Sequence, residues 1–372
     1  MRILYVEPYD SGSHRAFTRT LTEDGLGAEI DVLRLPGRHW KWRMRGSAAW
    51  VALAHADVVA RPHDVVLCSS YLPLAELVGL APSLAAAGRA LYFHENQLAF
   101  PPRGDAHPAR DHHFGFTQLV SALAADVCLF NSAHNRDSFI LEGRKLLSRM
   151  PDAVPPQWID LIEARSEVLG VPLDLPDVAP PVEPPSAFDR GRGPLVLWNH
   201  RWEHDKNPEG FFAALFELAD AGVPFRLAVC GQRFTEAPPV FEQAQARLAD
   251  RIVHFGTLSD AAAVHALASR ADIAVSTARH EFFGIAMLEA THFGAYPLVP
   301  DRLAYPEIFD AEHRYADHQL VMRLSDLCRR YVAGETLRAD RRDTTRPFVA
   351  TSLLPKYAAR LRALADATRG RR

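Results

Sequence analysis

Residues 280–289 read His280-Glu281-Phe282-Phe283-Gly284-Ile285-Ala286-Met287-Leu288-Glu289 and directly follow an apolar run that ends near Ser276. The run predicts a buried strand, and the segment after it predicts a helix that begins near Phe283. The two carboxylates would then stand about 12 Å apart along the helix axis, the span from a hexose to a ribose across a diphosphate. Free N–H groups at the helix start favour phosphate. We predict that Glu281 binds sugar hydroxyls and Glu289 ribose hydroxyls, with Phe283 and Gly284 beside the phosphates.

The alternative for Glu281 and Glu289 is that both are solvent-exposed glutamates on a helix. Glu289 follows the apolar run Ile285-Ala286-Met287-Leu288, which favours burial of its side chain. A buried carboxylate without a partner is costly, and a ligand hydroxyl would satisfy it. We therefore favour the binding role.

A cationic loop begins the second half of the chain. After the apolar run 194–199, Arg201 and Lys206 lie in a polar loop that precedes a predicted helix. Two cations at this point could stabilise the charge of a leaving diphosphate in place of magnesium. The alternative is a solvated charged loop. Together with the glutamate pair, the loop predicts diphosphate binding that needs no metal and no cofactor.

Short apolar runs alternate with amphipathic stretches along the whole chain, which predicts an α/β fold with buried parallel strands. Proline pairs interrupt the pattern between residues 151 and 194, where we expect one short helix from Trp158 to Leu169. We predict two Rossmann-like domains that face each other across a cleft, with ligands at the carboxyl ends of the strands. The predicted boundaries are 1–170 for the N-terminal domain, 171–193 for a proline-rich linker, 194–350 for the C-terminal domain and 351–372 for a closing helix.

The composition is that of an ordinary globular protein, with 372 residues of which 48% are hydrophobic and 23% charged. A formal net charge of −3 argues against a protein that holds nucleic acid through an overall positive field, but allows a local basic patch. The four cysteines are far apart, so we expect reduced thiols and no zinc. No signal peptide and no run of about 18 apolar residues is evident, which predicts a cytoplasmic protein without membrane association.

Polar motifs follow two predicted strands of the N-terminal domain. Gly12 permits a tight turn that brings backbone amides close to phosphate or sugar oxygens, with Ser13 and His14 at the head of the next helix. His94 ends another apolar run and precedes the polar residues Glu95-Asn96-Gln97. A glycine turn or a histidine at a strand end is often structural, but the polar cluster beside His94 favours a functional role.

The segment Arg38-His39-Trp40-Lys41-Trp42-Arg43-Met44-Arg45 interleaves basic side chains with two indoles. Such a pattern suits phosphate contacts and stacking on unpaired bases. The alternative is the start of an amphipathic helix whose tryptophans pack on the domain.

A second polar cluster contains His107, Asp111, His112 and His113. Histidines and a carboxylate so close together are compatible with a metal site, but no two histidines have the i, i+4 spacing of a helical ligand pair. The surrounding prolines and charges favour a loop, and we predict no metal there.

The C-terminal motifs resemble the donor site of retaining GT-B glycosyltransferases. In that superfamily the positions of Arg201 and Lys206 hold the diphosphate, that of Glu281 contacts the hexose and that of Glu289 the ribose. The superfamily also keeps a histidine near the anomeric carbon, which implies that His94 orients the sugar or stabilises the reacting state. The resemblance therefore implies His94 and Glu281 as the catalytic residues.

The N-terminal motifs resemble the tRNA-queuosine mannosyltransferase family, through 10–14, 40–43, 92–98 and 130–132. That family transfers mannose from GDP-mannose to the cyclopentenediol of queuosine in tRNA. Gly12 and Ser13 would join the donor site. The resemblance implies an acceptor site formed by His14, Trp40, Lys41, Trp42, Arg43, Arg45, Glu95, Asn96, Gln97 and Asp111.

Three alternatives stay open at this point. The first is a related transferase that uses another donor or another acceptor, such as a lipid or a small glycoside. The second is a binding protein for nucleotide sugars or tRNA that does not catalyse transfer. The third is an epimerase or hydrolase of the same fold, although the basic and aromatic segment would have no use there.

Overall fold

The computed structural model describes residues 1–23, 25–100, 112–176, 186–233 and 237–371. The chain forms two compact units, each built on one six-stranded sheet. The first unit comprises Met1–Asp174 and Phe348–Arg372, and the second comprises Leu175–Pro347. In this part of the chain, no helix combines the length and the apolar character needed to cross a bilayer.

The sheet of the first unit is parallel throughout, in the order β2-β1-β3-β4-β5-β6. Both faces are covered by helices, which explains why the inner strands are almost entirely apolar. The strands are β1 (Arg2–Asp10), β2 (Glu29–Pro36), β3 (Val65–Ser69), β4 (Gly88–Phe93), β5 (Val127–Phe130) and β6 (Ser166–Val168). The helices are α1 (Gly12–Glu23), α2 (Trp40–Ala54), α3 (Ala56–Val59), α4 (Leu74–Leu80), α5 (His113–Ala124), α6 (Ala133–Leu147) and α7 (Trp158–Glu163).

Two edge strands of this sheet differ from the sequence expectation. The predicted helix from Trp158 to Leu169 is wrong beyond Glu163, because Ser166–Val168 pairs with β5 as an edge strand. Strand β2 was not predicted, since its charged and half-exposed residues do not form an apolar run. At an edge, hydrogen bonding to one neighbour fixes the strand without burial of both faces.

The second unit repeats the architecture in the order β12-β11-β10-β7-β8-β9, again with parallel pairing. The strands are β7 (Leu195–Asn199), β8 (Arg226–Cys230), β9 (Ile252–Gly256), β10 (Ile273–Val275), β11 (Tyr296–Pro300) and β12 (Arg314–Tyr315). The helices are α8 (Ala187–Arg192), α9 (Pro208–Asp220), α10 (Val240–Arg247), α11 (Ala261–Ala268), α12 (Ile285–His292), α13 (Leu320–Val332) and α14 (Arg342–Thr345).

The final helix, α15 (Ala350–Thr368), belongs to the first unit. Its Tyr357 hydroxyl donates to the carbonyl of Gly170, and Arg360 forms an ion pair with Glu167. The chain leaves and re-enters the first unit at adjacent points, because Leu173 and Val349 form a parallel bridge. One unit is therefore assembled from two separate parts of the sequence.

Candidate active site

The ammonium group of Lys206 is the centre of a polar cluster in the second unit. Lys206 is buried, and its Nζ donates to the carbonyl oxygen of His280 at 2.7 Å. The same Nζ lies 3.1 Å from Oδ2 of Asp205 and 3.3 Å from Oε2 of Glu281. The backbone N–H groups of Arg279 and His280 donate to the Asp205 carbonyl. The loop after β7 and the loop before α12 are thus joined by charge and by backbone hydrogen bonds.

Local sequence explains why Lys206 lies at this point. Asn207, at a left-handed φ of 52°, precedes α9, and its side chain accepts a hydrogen bond from the N–H of Gly210. Pro208 occupies the first turn, where its missing N–H is not needed. This cap begins the helix at Pro208, two residues after Lys206, and leaves the lysine in the preceding turn of the loop that follows β7.

The cluster has well-defined charges near neutral pH. Burial, the largest single effect, would raise the pKa of Glu281, but the Lys206 ammonium and the other nearby groups, among them the N–H of Phe283, together outweigh it and the pKa is lowered to about 2. Burial would lower the pKa of Lys206, but Glu281 and Asp205 raise it above its ordinary value. Burial and the nearby Lys206 lower the pKa of His200 to about 4. The cluster therefore contains an ammonium, carboxylates and a neutral imidazole.

Arg201 lies on the exposed side of the same loop. Its guanidinium lies 3.0 Å from the Glu203 carboxylate and 3.9 Å from that of Asp205, and nearly half of its side chain is exposed. Arg201 and Lys206 therefore share Asp205 as a neighbour. An incoming anion would meet the exposed guanidinium before the buried ammonium.

The helix that was predicted to begin near Phe283 begins at Ile285. Gly284 precedes it at a φ of 92°, and a Cβ there would lie 2.9 Å from the ring of Tyr305. Oε1 of Glu281 accepts from the N–H groups of Phe283 at 3.4 Å and Gly284 at 3.2 Å. Glu281 therefore lies in the loop before α12, where its carboxylate accepts hydrogen bonds from the backbone of the same loop. Because Glu281 and Glu289 do not lie on one helix, the predicted separation of about 12 Å along a helix axis is wrong.

Glu289 does lie on α12, but it is not fully buried as expected. About a quarter of its side chain is exposed, and Oε1 lies 3.8 Å from Nε2 of His265 on α11. The apolar neighbours in the sequence point to other sides of the helix, because successive residues are rotated by about 100°. Glu289 is therefore accessible to a ligand hydroxyl.

A histidine pair lies at the carboxyl end of the first unit's sheet. Gly12, at a φ of 51°, begins α1, followed by the exposed Ser13 and the buried His14. The His14 ring lies 4.0 Å from the ring of His94, centroid to centroid, at an angle of 34°. Burial and the neighbouring His14 hold the pKa of His94 well below its usual range, so His94 is neutral.

Glu7 lies beneath this pair and is the polar residue that the sequence analysis missed. Its carboxylate is completely buried on β1, with Oε1 3.1 Å from Nδ1 of His14. The available signal was an acid inside an otherwise apolar strand, Ile3-Leu4-Tyr5-Val6-Glu7. A buried carboxylate in a strand needs hydrogen-bond donors or positive charges around it.

The polar residues after His94 divide into two roles. Glu95 is half-buried and accepts hydrogen bonds from the Tyr71 hydroxyl and from Nε2 of Gln97. Asn96 is fully buried, and its amide bonds to Asn135, Ser138 and the N–H of Ala99. These bonds give Asn96 a structural role in place of the predicted acceptor contact, whereas Glu95 and Gln97 remain candidates.

The basic and aromatic segment forms the start of α2. Trp40 is half-buried against Tyr71 and Phe114, whereas Trp42 is 63% exposed. Lys41 and Arg45 are exposed, and Arg43 is half-buried with its Nε donating to the Pro36 carbonyl. The Trp42 ring lies across Gly46, where a Cβ would fall 2.7 Å from it. The helix thus exposes the indole of Trp42, which packs on Gly46, between positively charged side chains.

The predicted residues His107 and Asp111 lie outside the described residues. Within the described part of the chain, Glu7, His14 and His94 are the one group of three metal-ligand types whose atoms lie within 4.8 Å of one another. The Glu7 carboxylate of this group already accepts hydrogen bonds from the N–H of Tyr9 and the hydroxyl of Ser69, so protein donors supply its partners.

Two family models match the chain. The model described as tRNA-queuosine alpha-mannosyltransferase N-terminal matches residues 2–173, and the model for group 1 glycosyl transferases matches residues 184–346. A tRNA-queuosine alpha-mannosyltransferase of Drosophila melanogaster is 38% identical over 370 residues, which cover 95% of each chain. This chain belongs to the tRNA-queuosine alpha-mannosyltransferase family. The resemblance inferred from the sequence motifs is therefore confirmed, and with it a glycosyltransferase domain in the second unit.

More distant proteins resemble either part of this sequence or the fold. A GDP-mannose-dependent alpha-(1-6)-phosphatidylinositol dimannoside mannosyltransferase of Mycobacterium tuberculosis is 32% identical over 119 residues, 32% of this chain and 30% of that protein. Anabaena HepE with bound UDP superposes with a TM-score of 0.67 at 14% identity, over 98% of this chain and 100% of that one. A sucrose-phosphate synthase of Thermosynechococcus elongatus gives a TM-score of 0.68 at 14% identity, with 99% and 100% covered. At such identities the likeness shows the fold alone, and it confirms the predicted α/β fold of the GT-B type.

Replacement of Lys206 by methionine should destabilise the fold by about 3–5 kcal/mol at pH 7, because it leaves buried carboxylates without their counter-charge. The pKa of Glu281 is lowered from 4.5 to about 2 in the folded protein, so its pairing stabilises the fold above pH 4.5 and is lost as the pH falls towards 2. The difference between wild type and variant should therefore shrink between pH 7 and pH 3 in urea unfolding.

The matched control is Lys145→Met, because Lys145 pairs with Glu142 on the surface. It should cost less than about 1 kcal/mol. Equal costs for the two variants, or a Lys206→Met cost that does not change with pH, would contradict the charge assignment.

Proposed function

We propose that this protein is a tRNA-queuosine alpha-mannosyltransferase, which moves mannose from GDP-mannose to the cyclopentenediol of queuosine in tRNA. The observation that carries the proposal is Lys206, a buried ammonium held at the carboxyl end of β7 by Glu281 and Asp205. A leaving diphosphate needs fixed positive charge, and this ammonium is already desolvated and oriented. The full-length likeness to the Drosophila enzyme supports the acceptor.

The donor would bind chiefly to the second unit. Arg201 and Lys206 would hold the diphosphate, with the turn at Phe283 and Gly284 beside it. Glu281 would contact the hexose, and Glu289 the ribose hydroxyls. The partial likeness to a GDP-mannose-dependent enzyme supports mannose and guanine as the donor groups.

The first unit would supply the acceptor side. His94, neutral and buried, would contact the reacting sugar, and the N–H groups at Gly12 and Ser13 would approach the donor. The acceptor contacts would come from His14, Trp40, Lys41, Trp42, Arg43, Arg45, Glu95, Gln97 and, outside the described residues, Asp111. Because tRNA is the acceptor, we propose that the protein acts in the cytoplasm.

One alternative has a specific observation in its favour. The Mycobacterium relative is named for a phosphatidylinositol dimannoside substrate, so the same donor could serve a lipid acceptor here. The exposed Trp42 between Lys41 and Arg45 favours nucleic acid, because an indole stacks on unpaired bases while the cations contact phosphates.

Purified protein incubated with GDP-mannose and queuosine-containing tRNA should add one hexose to queuosine, detected by mass spectrometry of the released nucleosides. Excess EDTA should leave the yield unchanged, because Arg201 and Lys206 replace the metal. The control is the same tRNA without queuosine, which should accept no hexose. Binding of GDP-mannose without an adduct would point to another acceptor, and loss of activity in EDTA would refute metal independence.

Replacement of Glu289 and replacement of Glu281 should change different kinetic constants. Glu289→Ala should raise the KM for GDP-mannose by about 10- to 100-fold with little change in kcat, because a ribose contact is equally strong in the ground and transition states. Glu281→Ala should chiefly lower kcat, because the hexose changes during the reaction. The exposed Glu217→Ala is the control. A donor site placed elsewhere would leave all three variants active.

Trp42→Ala should weaken tRNA binding by about 1–3 kcal/mol, the range for loss of one stacked base. Affinity for GDP-mannose should not change. Leu53→Ala is the control, because Leu53 is exposed near the other end of the same helix. Binding can be followed by fluorescence anisotropy of labelled tRNA, and equal affinities for wild type and Trp42→Ala would refute the stacking contact.

A further inference from the structure

The first unit has a pocket beside the start of α2, bordered by the first turn of α4 and by α5. Its volume is about 190 Å³, and it opens to solvent. The lining residues include Arg45 of α2, Ala75 and Glu76 of α4, and Phe116 and Thr117 of α5. Apart from Arg45, no residue that lines the pocket belongs to the donor or acceptor contacts proposed above.

Two cations beside the pocket lie against aromatic rings. The Arg45 guanidinium lies 5.2 Å from the centre of the Phe114 ring, and Nζ of Lys41 lies 5.7 Å from the centre of the Trp40 ring. Both cations are exposed, and among the described residues neither forms an ion pair with a carboxylate. Their charge is therefore available to an incoming anion such as a phosphate.

A line of aromatic contacts connects the pocket with the histidine pair of the same unit. The ring centre of Tyr71 lies 5.3 Å from that of His14 and 6.3 Å from that of Trp40. The Phe114 ring, over which the Arg45 guanidinium lies, is 5.1 Å from the Trp40 ring. A base that enters the pocket would therefore belong to a nucleotide close to the reacting nucleoside, and not to a remote part of the RNA.

The size and the lining of the pocket suit one pyrimidine base. A protein cavity of about 150 Å³ holds one benzene molecule. A volume of about 190 Å³ thus holds a single six-membered ring with its substituents, but not the two fused rings of a purine. Phe116 supplies a half-buried ring for stacking. The Thr117 hydroxyl donates to the His113 carbonyl, so its oxygen and the Glu76 carboxylate can accept from N–H groups of a base.

We propose that this pocket binds one unpaired pyrimidine of the acceptor RNA close to the modified nucleoside, while Lys41 and Arg45 contact the adjoining phosphates. The proposal rests on the proposed function, which makes an RNA the acceptor and stacks another base on Trp42. Trp42 precedes Arg45 by three residues and thus lies on the same side of α2. Transfer would then depend on a base that is not itself modified, so the pocket would help to select the RNA.

The test fills the pocket and removes the base in separate steps. Ala75→Trp places an indole in the pocket. The RNA is a queuosine-containing stem-loop, compared with a series in which each loop pyrimidine in turn is replaced by an abasic nucleotide. Ala75→Trp should weaken binding of the complete stem-loop by about 5- to 150-fold, the contribution of one stacked base. At one loop position, the abasic stem-loop should bind Ala75→Trp and wild type equally, as measured by fluorescence anisotropy.

The matched control is Leu80→Trp. Leu80 is 54% exposed at the other end of α4 and does not line the pocket. This variant adds the same indole to the same helix, but it should bind every stem-loop as wild type does. Thermal unfolding of both variants would show that the fold is retained.

A second variant tests the size of the pocket. Wild type should bind a stem-loop with a purine at the critical position more weakly than the pyrimidine form. Phe116→Ala enlarges the pocket and removes a stacking surface, so it should bind the pyrimidine form more weakly and lose the preference over the purine. Equal affinity of wild type for purine and pyrimidine at every loop position would overturn the proposal. Ala75→Trp that binds like wild type, or effects of Ala75→Trp and of the abasic nucleotide that add at every position, would also overturn it.

Failure of the proposed function would be seen separately. Wild type that binds the stem-loop but adds no mannose from GDP-mannose would refute the transfer. The binding measurements would still decide the role of the pocket: coupling between Ala75→Trp and one abasic position supports it, and absence of coupling overturns it. Wild type that does not bind the stem-loop would overturn both proposals.

Discussion

The buried ammonium of Lys206 is the interaction on which the second unit's polar loops depend. One charge satisfies the carbonyl of His280 and two carboxylates, and it thereby fixes the loop after β7 against the loop before α12. Without the Lys206 ammonium, the half-buried Glu281 carboxylate would keep only the hydrogen bonds that it accepts from the N–H groups of Phe283 and Gly284. In the proposed function the same ammonium would also contact the diphosphate, which would then share Lys206 with Glu281 and Asp205.

The first unit also contains a buried charge, in this case the negative charge of the Glu7 carboxylate. Glu7 lies inside a strand, and every contact that it makes comes from the same end of the sheet. Burial lowers the pKa of His94, whereas the carboxylates of Glu7, Glu95 and Asp10 raise the pKa of His14 despite its burial.

The sequence predicted most of the fold because the inner strands of both sheets are apolar runs. The sequence did not predict the edge strands β2 and β6, which are fixed by hydrogen bonds to a neighbouring strand. It also placed the start of α12 too early, because Gly284 in the left-handed region precedes a helix that begins at Ile285. The candidate site residues of the second unit could be named from the sequence, because each loop follows an apolar strand; the two strands, β7 and β10, are neighbours in the sheet. Glu7 and the structural role of Asn96 could not, because partners up to 62 residues away define them.

The interruption of the first unit by the second has a consequence for synthesis of the protein. Residues 1–174 are synthesised before the second unit, whereas α15 is synthesised after it. Leu364 of α15 packs at Gly88 of β4, and its Tyr357 bonds to Gly170. The first unit can therefore be completed only after the second unit has been synthesised, and the continuous second unit can fold before it. Loss of α15 would therefore destabilise the first unit, although most of that unit lies on the other side of the second unit in the sequence.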